Sequence, residues 1–336
     1  MLSDAFDSTV LIITEPLLYL TSVDQRVYWL YLLTAIVLAG WVFVRSPDFR
    51  DQTKTISRFR RFLQFFEFCF PKHLLRHRST RTDCVFFIVN RMAFPWLIAP
   101  LMVGITGASQ LTVGFLGQFS FLADMLGKAT TIDQIIFTLL LLFVMDGAIY
   151  FTHYMQHRFP PLWEFHKVHH SAEVLTPITV YRMHPVDDLL SGSIAGFAVG
   201  LVTGLFQTIY AEGIGWYSVA GLNLGVIVFY FFGYNLRHSH IWLSYPPLVS
   251  HFFISPAQHQ VHHSMDPAHF GKNLGFIFAF WDWAAGTLYV PKTREPVKYG
   301  IIGTDSKDFN AVWKLYFLPF KGVARLLKVY KNRIEL

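Results

Sequence analysis

Long apolar stretches constrain this chain most, because a segment of about 20 mostly apolar residues can cross a bilayer as a helix. Of the 336 residues, 53% are hydrophobic and 15% are charged, whereas soluble domains carry roughly 25% charged residues. We therefore predict an all-α integral membrane protein, a helical bundle with about four or five transmembrane helices. The predicted spans are 27–44, 84–105, 135–152, 189–210 and 214–234. Two shorter apolar segments, 10–20 and 111–126, are expected to lie in the interface or re-enter the bilayer, unless one spans it at a tilt.

The distribution of charge predicts the orientation of the bundle. Residues 45–83 contain ten lysines and arginines, whereas residues 1–26 contain four acidic residues and one arginine. Because positively charged loops remain in the cytoplasm, we place 45–83 there and the N-terminus outside. Five spans then put residues 153–187 and everything after residue 234 on the cytoplasmic side. The net charge of +6 is attributed to anionic lipid headgroups, so nucleic acid is not expected as a partner.

Histidines gather where the third predicted span ends and again later in the chain. Eight of them fall into three boxes, one with the spacing HxxxH and two with the spacing HxxHH: His153 and His157, then His166, His169 and His170, and finally His259, His262 and His263. Residues i and i+4 of a helix share a face, so each box can bring two imidazoles to one ion. A neutral imidazole is a good ligand for iron, zinc or copper. The only cysteines, Cys69 and Cys84, disfavour a thiolate site.

Other histidines are weaker candidates. His238 closes the fifth predicted span at the same membrane face and is predicted as a further ligand, ahead of His240. His184 follows the second box and is predicted to bind the metal or to support a ligand. His73 and His77 also have HxxxH spacing, but the cations around them disfavour a dication, so we interpret them as part of a basic membrane-surface segment.

Two polar residues share a helical face with the first box. Asp146 and Tyr150 precede His153 and His157 at relative positions i, i+4, i+7 and i+11. A buried carboxylate in a membrane span is costly, so we predict a catalytic role in which Asp146 supports a ligand through water or through Tyr150. The alternative is a polar residue that is satisfied by a neighbouring helix.

The eight box histidines and His238 exceed what one ion needs, since a closed structural zinc site uses four ligands. The surplus predicts a dinuclear centre with positions left open for oxygen. Histidine-rich coordination without thiolate suits iron. The spacing alone leaves zinc open.

At these residues the chain resembles the fatty acid hydroxylase / sterol desaturase superfamily of integral membrane di-iron enzymes. The motifs that carry the resemblance run from Asp146-x3-Tyr150-x2-His153-x3-His157 through Leu162-Trp163-x2-His166-x2-His169-His170-Ser171, Arg182-x-His184-Pro185, His238-Ser239 and Pro256-x2-His259-x2-His262-His263-Ser264 to Asn273-x-Gly275 and Phe280-Trp281-Asp282-x3-Gly286-Thr287-x-Tyr289. Three departures from the common pattern are His240, Trp283 and Thr176. They leave the metal boxes intact and put the subfamily in doubt.

The resemblance implies an oxygen-dependent hydroxylase or desaturase that oxidises a C–H bond of a membrane lipid with two iron ions (Fe²⁺). It also implies a separate electron donor, of the cytochrome b5 or ferredoxin type, in a bacterial inner membrane or an endoplasmic reticulum. Residues 135–290 would form the catalytic domain. Residues 1–134 would form an N-terminal membrane region with the basic loop 45–83, and residues 291–336 an amphipathic cytoplasmic tail.

Two other functions fit parts of the pattern. A metal transporter would also need histidines, but its ligands should lie near the bilayer midplane rather than at span ends. An inactive metal-binding membrane protein is the second alternative, although the boxes are complete. We also expect a lipid pocket between the third, fourth and fifth spans. Glycines at 192, 196, 200 and 204 would give the fourth span a smooth stripe, for a close helix or for a lipid tail.

Overall fold

The computed structural model describes residues 18–46, 57–210, 212–303 and 306–334. Most of the predicted segment 10–20, and residues 47–56 of the predicted basic loop, lie outside them. The α-helices are α1 (Trp29–Arg45), α2 (Arg58–Cys69), α3 (Lys72–Leu75), α4 (Arg78–Leu97), α5 (Ile105–Leu116), α6 (Thr131–Arg158), α7 (Pro160–His170), α8 (Pro185–Ile209), α9 (Leu224–Phe231), α10 (Pro247–Phe252), α11 (Pro256–His262), α12 (Phe280–Ala285) and α13 (Val312–Ile334). Strands β1 (Ser218–Val219) and β2 (Leu222–Asn223) form an antiparallel hairpin.

Three helical segments are long and apolar enough to cross a membrane: Ala99–Leu116, Thr131–Arg158 and Pro185–Ile209. Two of them, α6 and α8, coincide with the third and fourth predicted spans. Helix α1 is apolar but shorter, with 17 residues. The prediction of a mainly helical protein with membrane-spanning helices is therefore confirmed in this coarse form.

Helix α6 has a sharp start and a sharp end. Thr130 and Asp133 form a capping box, in which the Asp133 carboxylate accepts a hydrogen bond of 2.8 Å from the Thr130 backbone N–H. At the other end Pro160 and Pro161 occupy the first turn of α7, where a missing N–H costs nothing, and they prevent α6 from continuing. The first histidine box is therefore fixed at the last two turns of a long apolar helix.

The fifth predicted span, 214–234, is wrong. This region forms the β1–β2 hairpin and then α9, which has only 8 residues. Ala220 and Gly221 have φ values of 50° and 76° in the turn of the hairpin. The Asn223 side chain then caps α9 by accepting a hydrogen bond of 2.9 Å from the Gly225 N–H. The turn interrupts an apolar run that reads as continuous in composition.

The second predicted span is displaced along the chain. Helix α4 ends at Leu97, and the apolar segment with spanning length is Ala99–Leu116, which takes in part of the predicted re-entrant segment 111–126. The reason is that α4 buries polar side chains against other parts of the protein. Arg91, for example, is paired with Asp188 of α8 at 3.1 Å.

Helix α5 packs closely against α8, because the glycine stripe of α8 faces α5. A Cβ atom at Gly200 would lie 2.5 Å from Ala108 Cβ, and one at Gly204 would lie 2.5 Å from Thr112 Cβ. At these two positions glycine permits the close approach of another helix, so the packing alternative is the correct one there. Gly196 faces the backbone of residues 103–105 instead.

The C-terminal helix α13 lies against α7 and so covers the second histidine box. Leu315 is fully buried in a cluster with Phe86 of α4, Val168 of α7 and Phe309. Other apolar side chains of α13, such as Phe317, remain exposed. The tail therefore packs onto the helix that carries three of the predicted ligands.

Candidate metal centre

Nine histidines meet in two groups. The five-histidine group contains His153, His157, His166, His170 and His262. The four-histidine group contains His169, His238, His259 and His263. Within each group the candidate ligand atoms all lie within 4.8 Å of one another. All eight box histidines and His238 are therefore brought together, as two neighbouring sets.

Each HxxHH box serves both groups, and helical geometry explains how. In α7 the i and i+4 residues, His166 and His170, face the five-histidine group, and His169 faces the other. The box that begins in α11 does the reverse. Its i and i+4 residues, His259 and His263, face the four-histidine group, and His262 faces the five-histidine group. Each of the two HxxHH boxes thus contributes ligands to both groups.

Backbone carbonyls orient two rings of the five-histidine group. His153 Nδ1 lies 2.7 Å from the Leu274 carbonyl oxygen, and His262 Nδ1 lies 2.9 Å from the Lys272 carbonyl oxygen. A carbonyl oxygen can only accept, so each Nδ1 carries the proton and each Nε2 has a free lone pair. Both Nε2 atoms are buried and have no hydrogen-bond partner in the described protein. This is the arrangement a metal ligand needs.

The four-histidine group has the dimensions of a coordination site. His238 Nε2 lies 3.3 Å from His169 Nε2, 3.1 Å from His259 Nε2 and 3.1 Å from His263 Nε2. One proton on His238 Nε2 can serve only one of these neighbours. A tetrahedral ion with metal–nitrogen bonds of about 2.0–2.1 Å would separate its ligand atoms by about 3.3–3.4 Å. The donor set therefore fits a bound cation better than a hydrogen-bonded cluster.

Burial keeps these rings neutral. Desolvation, together with neighbouring positive groups, lowers the pKa of His169 to about 3. Desolvation also holds the pKa values of His238, His259 and His263 well below the usual value for histidine. The imidazoles are thus in the form that binds metal at neutral pH.

The sequence analysis missed one carboxylate at this site. The fully buried Asp187, in the first turn of α8, places Oδ2 3.5 Å from His166 Nδ1. Its other oxygen accepts a hydrogen bond of 3.2 Å from Gln156 Nε2. A carboxylate behind a ligand histidine orients the ring and raises its basicity. The sequence did offer a signal for it, an acidic residue in the first turn of an otherwise apolar helix.

Asp146 and Tyr150 do not support a ligand in the way predicted. Asp146 is fully buried and accepts hydrogen bonds from the Ile277 N–H at 2.7 Å, the Phe278 N–H at 3.1 Å and the Trp281 indole at 3.0 Å. The Tyr150 hydroxyl lies 3.3 Å from Thr287 Oγ1. Asp146 therefore joins α6 to residues 277–278 and to Trp281 of α12.

His184 lies outside both groups, so its assignment as a ligand is corrected. Its Nδ1 accepts a hydrogen bond of 3.1 Å from the Val186 N–H at the start of α8, and its Nε2 lies 3.2 Å from the Tyr316 carbonyl oxygen. Both ring nitrogens are therefore occupied by the backbone. His240 is similarly bound to the Phe68 carbonyl at 2.6 Å, and His77 caps α4 through the Ser79 N–H.

A buried ion pair fixes the end of the second box. Arg182 Nη1 donates to Asp83 Oδ1 at 2.7 Å, and both side chains are inaccessible to solvent. Arg182 also donates to the Val168 carbonyl at 3.0 Å and to Ser171 Oγ at 2.8 Å. These contacts satisfy the C-terminal end of α7 and so hold the helix that carries His166, His169 and His170.

A cavity of about 640 Å³ reaches the histidines. It is lined on the α6 side by Leu141, Met145 and Ile149, and it ends at residues that include His153 and His238. Helix α8 contributes the opposite wall, and the β1–β2 hairpin contributes part of the rest. A mostly apolar cavity of this size matches typical ligand pockets.

Residues 138–287 match the fatty acid hydroxylase family, and this match confirms the resemblance seen in the sequence. Relatives include the ornithine lipid hydroxylase OlsE of Rhizobium tropici, 29% identical over 173 residues, or 51% of this chain and 47% of the relative. The alkylglycerol monooxygenase of Caenorhabditis elegans is 25% identical over 196 residues, or 56% and 34%. The sphingolipid C4-hydroxylase sur2 of Schizosaccharomyces pombe is 28% identical over 174 residues, or 50% and 53%.

These matches span about half of this chain and about a third to a half of the relatives. No solved structure matches the chain significantly. The relatives' names describe lipid-modifying hydroxylases and monooxygenases. In this chain the two histidine groups fit a metal site, and three helical segments are long and apolar enough to cross a membrane.

Proposed function

We propose that this protein uses O2 to oxidise a C–H bond of a membrane lipid at two iron ions, one in each histidine group. The observation that carries the proposal is the meeting of both groups with one apolar cavity. When bound, the iron pair would supply the redox chemistry that activates O2. The ligands would be His153, His157, His166, His170 and His262 for one ion, and His169, His238, His259 and His263 for the other.

The protein's own residues would place the lipid and keep water away. The hydrocarbon chain of the lipid would lie along α6, beside Met145 and Ile149, with one end at His153. The Leu274 and Lys272 carbonyls would keep two Nε2 atoms facing the metal. Whether hydroxylation or desaturation follows depends on the position of the lipid carbon in this cavity.

The reaction needs electrons from a separate donor, for which a cytochrome b5 or ferredoxin type is proposed. We propose that the basic segment 45–83 lies in the cytoplasm. This orientation would put the metal centre on the cytoplasmic side of a multi-pass membrane protein. Nothing else in the described residues requires a further partner.

Metal analysis and oxygen uptake test this function. Protein purified in detergent should contain close to two irons per chain and should consume O2 with reductant only when lipid is present. Zinc in place of iron, together with no oxygen uptake, would favour an inactive metal-binding protein. Movement of metal across vesicles that contain the protein would favour a transporter.

A further inference from the structure

The cavity has a basic end beside the histidines. Arg26, Arg91 and Arg237 all line it. Arg237 precedes His238 in the chain, and Arg26 shares a side cavity with Arg91 and Asp188. Arg91 is paired with Asp188, which follows the carboxylate that faces His166. All three arginines therefore lie at the end of the cavity where the histidines lie.

The opposite end of the cavity is apolar. Leu141, Met145, Ile149 and His153 repeat every four residues on α6 and share one face. At 1.5 Å per residue, Leu141 lies roughly 18 Å from His153 along the helix. Trp216 also lines this cavity. The cavity therefore suits a ligand with one extended hydrocarbon chain and a polar head group beside the arginines.

Of the three arginines, only Arg91 forms an ion pair with a carboxylate among the described residues. Its partner is Asp188, which lines the same cavity, at 3.1 Å. Arg237 donates to the Ile254 carbonyl at 2.9 Å and stacks on the Phe229 ring at 4.6 Å. Asp146 is near enough to act on the charge of Arg237, but its oxygens accept hydrogen bonds from Ile277, Phe278 and Trp281 instead.

Arg26 is the cation best placed to bind a ligand. It is partly buried, and it forms no ion pair with a carboxylate among the described residues, although Asp188 is near enough to act on its charge. Its other surroundings are the phenols of Tyr181, Tyr230 and Tyr234. A side cavity of about 240 Å³ is lined by Arg26, Arg91, Asp24 and Asp188. Both carboxylates have partners already, since Asp24 accepts hydrogen bonds from Ser22 and Gln25 and Asp188 is bound to Arg91. Space for a head group therefore adjoins Arg26.

We propose that the cavity selects a single-chain amphiphile with an anionic head, a carboxylate or a phosphate, and that Arg26 binds this head beside the histidine groups. A guanidinium presents a planar fork of N–H donors that matches either anion. An anion there would give the Arg26 guanidinium an ion pair, which no carboxylate among the described residues supplies. The statement that this amphiphile is the substrate rests on the proposed function, whereas its binding does not.

Binding of three matched probes tests the proposal without turnover. Palmitate, hexadecyl phosphate and hexadecanol carry the same chain length and differ in the head. Metal-loaded protein is equilibrated with each radiolabelled probe in anaerobic detergent solution without reductant. A hydrogen bond to a charged group is worth enough to give about a tenfold to a hundredfold preference for an anionic probe over the alcohol.

Variants of the protein test whether Arg26 is responsible for the preference for an anionic probe. Arg26→Gln should lower the affinity for the favoured anion to that for hexadecanol, and Arg26→Lys should keep part of the preference. Arg81→Gln, an exposed arginine of α4, is the matched control and should change nothing. Preference for palmitate identifies a carboxylate head, and preference for hexadecyl phosphate identifies a phosphate head.

Two results would overturn the proposal. One is equal binding of all three probes to the unaltered protein, a measurement that needs no variant to fold. The other is a preference that Arg26→Gln leaves intact. A protein that binds anions selectively but never consumes O2 would instead contradict the proposed function alone.

Discussion

The two histidine groups are built differently although they lie side by side. In the five-histidine group, carbonyl oxygens fix His153 and His262, and Asp187 lies behind His166. In the four-histidine group, the Nδ1 atoms of His169 and His263 are buried without a hydrogen-bond partner in the described protein. Outer hydrogen bonds orient two ligands of the first group, His153 and His262, whereas mainly packing holds His169 and His263 of the second.

This difference suggests that the groups depend on metal to different extents. Rings that are already hydrogen-bonded keep a lone pair directed at the site before the ion arrives. The crowded Nε2 atoms of the four-histidine group, at 3.1–3.3 Å, lack enough protons to bond to one another and repel without a cation. We therefore expect the five-histidine group to be preformed and the four-histidine group to be completed by its ion.

The largest effect should come from removing one ligand of either group. His169 and His170 are adjacent in α7 but belong to different groups. His169→Ala and His170→Ala should each leave one ion per chain and lower turnover by more than the roughly 100-fold typical of losing an outer partner. Metal analysis and oxygen uptake measure both effects.

His73→Ala and His77→Ala are the controls, because these histidines lie outside both groups. His77→Ala removes a helix cap, which should cost about 1 kcal/mol of stability without loss of metal. Equal metal loss in the control variants and the ligand variants would contradict the division into two groups.

Removing both ions should loosen the four-histidine group more. A chelator should lower the free energy of unfolding by about 4 kcal/mol if free metal had been about a thousand times its Kd. Hydrogen exchange should then rise more in residues 234–241, around His238, than in residues 272–275, whose carbonyls bind His153 and His262. A uniform rise across both segments would mean that neither group is preformed.

A smaller effect is expected from Asp187→Asn, which should act on one group alone. The amide keeps the size of the side chain but replaces one of the two carboxyl oxygens behind His166. Metal affinity of the five-histidine group should fall about 10-fold to 100-fold, and that of the other group should stay the same. Stepwise metal titration separates the two affinities, with Glu212→Gln as an exposed control.

The smallest effect should follow His184→Asn. Asparagine is also a favoured N-cap residue, so α8 should keep its start. Both ions should remain, and activity should stay within a few fold, because about one hydrogen bond, to the Tyr316 carbonyl, is lost. Loss of a metal ion in this variant would restore His184 as a ligand.

Local spacing was enough to single out the histidines that meet in the two groups. An HxxHH box on a helix places i and i+4 on one face whatever the surrounding fold is. The boxes, His238 and the two long apolar helices could therefore be read from the chain itself. The exclusion of His73 and His77 from the groups also followed from their basic neighbours.

Tertiary structure decided what local spacing leaves open. The division of each box between two groups depends on how α7 and α11 face one another, and the selection of Asp187 over Asp146 depends on which helix end meets which ring. The apolar composition of 214–234 allowed a span, but the turn at Ala220 and Gly221 made a hairpin. Composition and periodicity record local preferences, whereas contacts between distant residues arise only when the chain is packed.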